Sequence, residues 1–219
     1  MKQELKITKD GSHTLFIPEL DETYHSVHGS IQEAEHVFIQ AGFNSVVDKT
    51  HLNILEVGFG TGLNAILSYK NANEKRVNVD YTGVELYPLE VDLIKKLNYT
   101  NLIEEVSEEE LLLLHTCSWE EPVTCSPYFK MTKLKIPILE FKTSNFFDVI
   151  YFDAFGPNAQ AEMWEQPVFE IMYRSLKEGG HLVTYCAKGS VKRLLKETGF
   201  KVEALPGPPG KREMTRAIK

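Results

Sequence analysis

Three glycines at alternate positions, Gly58, Gly60 and Gly62, follow an acid, Glu56, and precede Leu63-Asn64. Glycine permits a tight turn and lets backbone approach a ligand with no Cβ in the way. A second acid, Glu85, closes the next apolar run, where nucleotide-binding α/β folds place an acid to accept hydrogen bonds from ribose hydroxyls. The spacing G-x-G-x-G differs from the G-x-G-x-x-G of dinucleotide enzymes. An acid ahead of the glycines suits a ligand that carries an amino group and no pyrophosphate. These features together favour S-adenosyl-L-methionine over NAD, with Glu56 at its amino-acid end and Glu85 on its ribose. The plainer reading is a strand-turn-helix corner without a ligand, which has no need of the two acids. A third acid, Asp153, ends the run Asp-Val-Ile-Tyr-Phe-Asp and is the candidate catalytic residue. In open α/β sheets ligands sit outside the carboxyl ends of the strands.

The elements that must hold these residues follow from apolar patterning. Residues 52–57, 79–85 and 148–153 read as buried parallel strands. A helix starts at Leu63. Residues 4–17 read as a hairpin turning at Asp10-Gly11, with Leu5, Ile7, Leu15 and Ile17 on its buried side. Residues 18–28 read as a loop, with a partial lid over the pocket as the functional reading of this N-terminal part. A helix from Gly29 or Ser30 to about Ala41 follows, with Ile31, Ala34, Val37 and Phe38 on one face. Pro88 is expected to start a helix, residues 97–117 to be largely helical, 119–126 to be a connection and 129–134 a strand. A helix carries Met163, Trp164, Phe169 and Met172, and Lys177-Glu178-Gly179-Gly180 is a turn. Residues 181–186 form a strand, 189–198 a helix closed by Gly199, 200–205 a strand, and 211–218 a final antiparallel strand.

The 219 residues fit one domain with a sizeable core. No apolar run approaches the length of a membrane span, and the first ten residues have no apolar signal region. Three cysteines without a CxxC pair point to a reducing cytoplasm, with neither a disulfide framework nor a zinc site. The histidines show no metal-ligand spacing. The net charge of −7 is unevenly spread: residues 174–219 hold 11 Lys/Arg against 4 Asp/Glu, and residues 1–173 hold 13 against 27. That asymmetry reads as a basic face on an acidic body, or simply as a solvated surface.

Several separated motifs, in order, resemble one family. They are Gly58-Phe59-Gly60-Thr61-Gly62-Leu63-Asn64, then Phe152-Asp153-Ala154-Phe155-Gly156-Pro157 with Met163-Trp164, and Gly210-Lys211-Arg212-Glu213-Met214. Glu56, Glu85 and Val191-Lys192-Arg193 agree. The chain resembles the methyltransferase half of the bifunctional tRNA 5-methylaminomethyl-2-thiouridine biosynthesis protein from about Asp21 to Met214. The resemblance implies a class I, Rossmann-like, doubly wound and mostly parallel α/β sheet, with residues 1–45 as an N-terminal hairpin and helix extension on a domain of residues 46–219. It implies S-adenosyl-L-methionine as methyl donor and the aminomethyl group of a modified wobble uridine in tRNA as acceptor. Phe59 and Asn64 then join Glu56, the three glycines and Glu85 around the cofactor. Asp153 orients the amine and takes or relays its proton. Phe155 and Trp164 are expected either against the base or in the plain core, Pro157 against the base, and Lys188, Lys192, Arg193, Lys211 and Arg212 against phosphates. There is no second glycine-rich nucleotide corner, so a separate flavin-dependent oxidase is expected upstream, or direct installation of the aminomethyl group. One departure is Ile136-Pro137, where relatives often carry an acid beside the adenine. The rival readings are a polyamine-type aminopropyltransferase, a small-molecule amine methyltransferase, an NAD enzyme and a non-catalytic RNA-binding protein.

Overall fold

A computed structural model describes residues 2–46 and 49–219. The chain begins with β1 (Glu4–Ile7), β2 (His13–Ile17) and β3 (Glu22–Thr23), which pair antiparallel in a small sheet of their own. Leu15 and Ile17 are fully buried, whereas Leu5 and Ile7 on the edge strand are exposed, so only one half of the predicted apolar face reaches the core. α1 (Ser30–Ala34) runs on as a π-helical stretch, Glu35–Gln40, rather than as one α-helix to Ala41, and Ala34, Val37, Phe38 and Ile39 are buried.

The main sheet starts with β4 (His51–Val57) and α2 (Leu63–Lys75), followed by β5 (Asn78–Val84). Three short helices come next: α3 (Val91–Ile94), α4 (Tyr99–Leu102) and α5 (Glu108–Thr116). They correct two expectations. Pro88 precedes α3 by three residues, with Glu90 at the N-cap. The predicted 97–117 helix is broken because Glu105 adopts φ 65° and Ser107 opens a capping box with Glu110, which starts a new helix. β6 (Pro122–Ser126) and β7 (Phe129–Leu134) form an antiparallel pair, so most of the expected connection at 119–126 is an edge strand. β8 (Phe147–Phe152), α6 (Gln166–Ser175), β9 (Leu176–Thr184), α7 (Gly189–Thr198), β10 (Lys201–Pro206) and β11 (Glu213–Ile218) complete the chain. β9 takes in Lys177 to Gly180, expected as a turn; a register irregularity opposite Phe147 and Val149 absorbs those residues.

The strand order is β10-β11-β9-β8-β4-β5-β7-β6, parallel through the middle five and antiparallel at both edges. β8 is buried along its whole length, as a central parallel strand must be. Alternation along β4 sends Leu52 and Ile54 to the core under α2, and Leu55 and Val57 to the core on the opposite face. Glu56 shares the face of Leu52 and Ile54. The chain leaves β4 toward β5 on one side and reaches β8 on the other, so the switch point lies where Val57 and Phe152 end side by side.

Asp148 is the buried carboxylate that anchors the far end of β8. It accepts from Lys49 Nζ at 2.5 Å, Lys177 Nζ at 2.9 Å and the Asn53 amide at 2.9 Å. Burial opposes ionisation here, but these donors outweigh it and hold the carboxyl below its ordinary value. Its contribution to stability is therefore present above about pH 4 and is lost as pH falls through the lowered pKa. Asp148→Ala is expected to cost about 2–3 kcal/mol in urea unfolding at pH 7, and less at pH 3. An unchanged midpoint at pH 7 would remove this anchor.

Candidate active site

β4 and β8 deliver Gly58 and Asp153 to adjacent points, and the Asp153 amide donates to Val57 O at 3.0 Å. Gly58 has φ 90°, and a Cβ there would lie 2.6 Å from Asp153 O, so this crossing admits glycine alone. A cavity of about 350 Å³ opens outside the two strands. Gly58, Phe59, Gly60 and Thr61 form its floor, and Glu85 lies at one side. Glu85 accepts from the Gly60 amide at 3.0 Å and the Tyr87 amide at 2.8 Å, and each carboxylate oxygen keeps a lone pair for a further donor. Leu86, Ile136, Pro137, Ile138 and Leu139 make an apolar wall, and Asp153, Ala154 and Phe155 close the other end.

The roof comes from the N-terminal segment, the partial lid expected from the sequence. Leu20, Tyr24 and His25 line the cavity, and Tyr24 packs edge-on against Phe155 with ring centroids 4.9 Å apart. His25 Nε2 is 2.7 Å from Thr61 Oγ1, which also accepts from Tyr99 OH at 3.2 Å. Behind the corner, His115 Nε2 is 3.0 Å from Thr61 O. Burial pushes both histidines down to about 4, so at pH 7 they act as neutral hydrogen-bonding braces and not as proton carriers.

Three predicted cofactor residues stand elsewhere. Glu56 is fully buried beneath the corner, and neither it nor Gly62 or Asn64 lines the cavity. Gly62 is instead the left-handed N-cap of α2. Asn64 Nδ2 donates to Glu56 Oε1 at 2.9 Å and to Asp153 Oδ2 at 2.8 Å. Burial pushes the half-buried Asp153 carboxyl up to about 7, with the Asn64 hydrogen bond opposing, Glu33 adding to the rise and Lys211 opposing it. Trp164 takes the core alternative: it is buried against Phe152 and Phe169, and its indole N–H donates to Phe155 O at 2.7 Å. It shapes the Phe155 loop from below.

That loop also borders a second, more open cavity of about 650 Å³, lined by Gly156, Pro157, Asn158, Tyr185, Lys188, Lys211 and Arg212 among others. Of the five predicted basic residues, Lys188, Lys211 and Arg212 reach it. Lys211 is pinned to Glu33 Oε2 at 2.5 Å and lies 4.0 Å over the Tyr185 ring, while Lys192 pairs with Glu213 at 2.7 Å. Arg193 lies on α7 outside the groove lining. No cluster of His, Cys, Asp or Glu able to hold a metal occurs among the described residues, and the three cysteines are free.

The glycine floor, the ribose-type acid and the apolar wall fit an adenosyl group, and the switch-point position fits the fold. Together they define a class I, Rossmann-like S-adenosyl-L-methionine-dependent methyltransferase. In agreement, residues 114–219 match the family model described as S-adenosyl-L-methionine-dependent methyltransferase. The chain is a homologue of the methyltransferase domain of the bifunctional protein MnmC, named for tRNA 5-methylaminomethyl-2-thiouridine biosynthesis. It is 29% identical over 229 residues to that of Cupriavidus metallidurans, covering 96% of this chain and 33% of the relative. It is 30% identical over 213 residues to that of Leptospira borgpetersenii, covering 89% and 32%. The chain thus spans about a third of the length of these curated relatives. The crystal structure of MnmC2 from Aquifex aeolicus superposes with a TM-score of 0.81 at 26% identity, over 99% of this chain and 70% of that one. A spermidine synthase from Thermotoga maritima, at TM-score 0.55 and 14% identity, shares the fold.

Proposed function

We propose that this methyltransferase acts on the primary amine of an aminomethyl group on a wobble uridine in tRNA, in the cytoplasm. The observation that carries the reading is the position of Asp153. Asp153 lines the cavity, and the loop it begins borders the basic groove. Gly58, Phe59, Gly60 and Glu85 would hold the adenosyl and ribose parts of the donor, with Leu86, Ile136 and Leu139 against its base. When bound, S-adenosyl-L-methionine supplies an electrophilic sulfonium methyl. Everything else falls to the chain's own residues.

An aliphatic amine with a pKa of about 10.4 is neutral in roughly one molecule in 10³ at pH 7, at a cost of about 4–5 kcal/mol. Asp153 must therefore attract the ammonium and take its proton. An ordinary carboxylate is a poor base for that step. A carboxyl raised to about 7 makes the transfer less uphill by roughly 2–4 kcal/mol, the lower figure allowing for its partial exposure. Phe155, paired with Tyr24, offers an aromatic face to an unstacked base. Lys188 and Arg212 are the groove cations free of an ion pair among the described residues, and they would meet phosphates. The groove lining sets Lys188, Lys211 and Arg212 against only Glu22 and Glu213, too few acids to hold a polycation, which argues against the aminopropyltransferase reading despite the shared fold.

The test is to incubate the purified protein and donor with tRNA carrying the aminomethyl or the carboxymethylaminomethyl form, and with spermidine precursors, then to digest and weigh the products. The aminomethyl nucleoside should gain one methyl. The carboxymethyl form should react poorly, because its carboxylate would approach Asp153 and Glu85. Methylation of both forms at equal rates would overturn the preference for the primary amine. Separately, Lys188→Ala with Arg212→Ala should flatten the slope of log affinity for tRNA against log salt by nearly two, whereas Lys192→Ala should change it little. An unchanged slope in the double variant would mean that this groove is not the tRNA face.

A further inference from the structure

Glu56 presents an unusual combination. It is fully buried on the face of β4 beneath α2, where Asn64 Nδ2, a nitrogen that it shares with Asp153, donates to its Oε1 and the Tyr81 hydroxyl stands close by. Its Oε2 has no partner, and neither have Asn64 Oδ1 and Tyr81 OH. An ionised carboxylate at that depth requires several donors or a cation, and no lysine or arginine reaches it among the described residues. A neutral carboxylic acid fits, since it needs no compensating cation and carries a donor of its own. Glu56 stands beneath the corner and apart from the residues that line the cavity.

We propose that Glu56 is a neutral positioning acid, which holds the Asn64 amide so that its N–H fixes the Asp153 carboxylate at the cavity, and that it does not bind the methyl donor. The inference rests on the reading of Asp153 given above. Asn64 stands in the first turn of α2, and Glu56 Oε1 fixes which way its amide faces. Without that acceptor the amide is free to turn its oxygen toward Asp153 and repel it. In line with this arrangement, burial raises the Glu56 carboxyl well above its usual range, with the nearby Tyr81 hydroxyl opposing and Asp153 adding to the rise. The other titratable groups facing the pair are Glu33 from α1, Lys211 from the β10–β11 turn, Tyr151 of β8, Tyr185 after β9, Tyr99 of α4 and Glu85 after β5. Glu33 and Lys211 pair with each other, which leaves Asn64 as the one side chain donating a hydrogen bond to Asp153 among the described residues.

The test compares Glu56→Gln, Glu56→Leu and Asn64→Ala by donor affinity, turnover and the pH profile of kcat/KM, alongside Asp153→Asn. Glu56→Gln keeps a neutral acceptor for Asn64. It should leave donor Kd and kcat within about threefold and the acid limb within about 0.3 pH unit of wild type. Glu56→Leu should lower kcat roughly 10–100-fold with donor Kd unchanged, and Asn64→Ala should move the acid limb to higher pH, because a hydrogen bond to the charged form of Asp153 is lost. Infrared spectra provide a readout independent of turnover: the apoprotein at pH 9 should show a protonated-carboxyl band that disappears in Glu56→Gln. A tenfold loss of donor affinity in Glu56→Gln, a limb shifted by a full pH unit in that variant, or no such band would overturn the proposal. Should Glu56→Leu fail to fold, the glutamine variant, Asn64→Ala and the infrared band still decide it. Normal turnover in Asp153→Asn would instead defeat the underlying reading of Asp153.

Discussion

Asp153→Asn is expected to lower kcat by about three orders of magnitude while changing donor affinity by less than about threefold, since general-base contributions typically fall between 10² and 10⁴. The substitution keeps the shape and leaves an amide oxygen to accept from Asn64 Nδ2, so the corner is preserved. What disappears is the charge that draws in an ammonium and the site that takes its proton. The same substitution should stabilise the fold at high pH. The Asp153 carboxyl is raised to about 7 from an ordinary value near 3.8. Between those values the folded state holds a proton that the unfolded chain has released, so stability falls as pH rises through this window. Asn carries no such penalty. Thermal melts at pH 8 should therefore favour the variant by roughly 1–3 kcal/mol, and the advantage should shrink toward pH 4. A variant with normal turnover, or one less stable at pH 8 than at pH 4 relative to wild type, would remove Asp153 from the chemistry.

Much of this site was legible because its residues sit where apolar runs end. Residues 52–57, 79–85 and 148–153 are unbroken enough to be buried parallel strands, and the residues after such strands, Gly58, Glu85 and Asp153, can only lie at the carboxyl edge of the sheet. α7 was equally plain, since Gly199 takes up the left-handed turn that ends it. The place of Glu56 follows from its parity and not from its type. It alternates in phase with Leu52 and Ile54, which consigns it to the core under α2. For Trp164 the sequence leaves base and core open, because an aromatic near a catalytic loop suits either, and only the tertiary neighbours Phe152 and Phe169 place it in the apolar cluster. The basic residues were countable, but which of them are tied to Glu33 or Glu213 depends on tertiary neighbours far away in the chain. The roof of Leu20, Tyr24 and His25 was hidden for the same reason: nothing local in residues 18–28 reveals that Thr61 waits across the cavity. β6 escaped notice as a polar edge strand opened by a proline, which is how edge strands are commonly protected.

Gly60→Arg should abolish binding of S-adenosyl-L-methionine, with an affinity loss of more than about 100-fold in isothermal titration, while circular dichroism stays that of the folded protein. Gly60 has φ 48°, and a Cβ there would lie 3.0 and 3.2 Å from the Tyr24 ring. Tyr24 is held edge-on by Phe155 and roofs the cavity, so even alanine must push the roof outward by a few tenths of an ångström. Arginine adds a long side chain that fills a cavity of about 350 Å³ and sets a guanidinium beside Glu85. The carboxylate would then pair with it bidentately and be lost to ribose hydroxyls. Folding should survive because Gly60 lies on the cavity floor, away from the core clusters above and below the sheet. Gly60→Ala separates the two effects: it should weaken binding by roughly tenfold through the roof contact alone, with Glu85 still available. Adding Glu85→Gln to Gly60→Arg should restore little, since the side chain would still occupy the cavity. Wild-type affinity in Gly60→Arg would show that the donor binds elsewhere, and the corner would revert to a strand-turn-helix junction with no ligand.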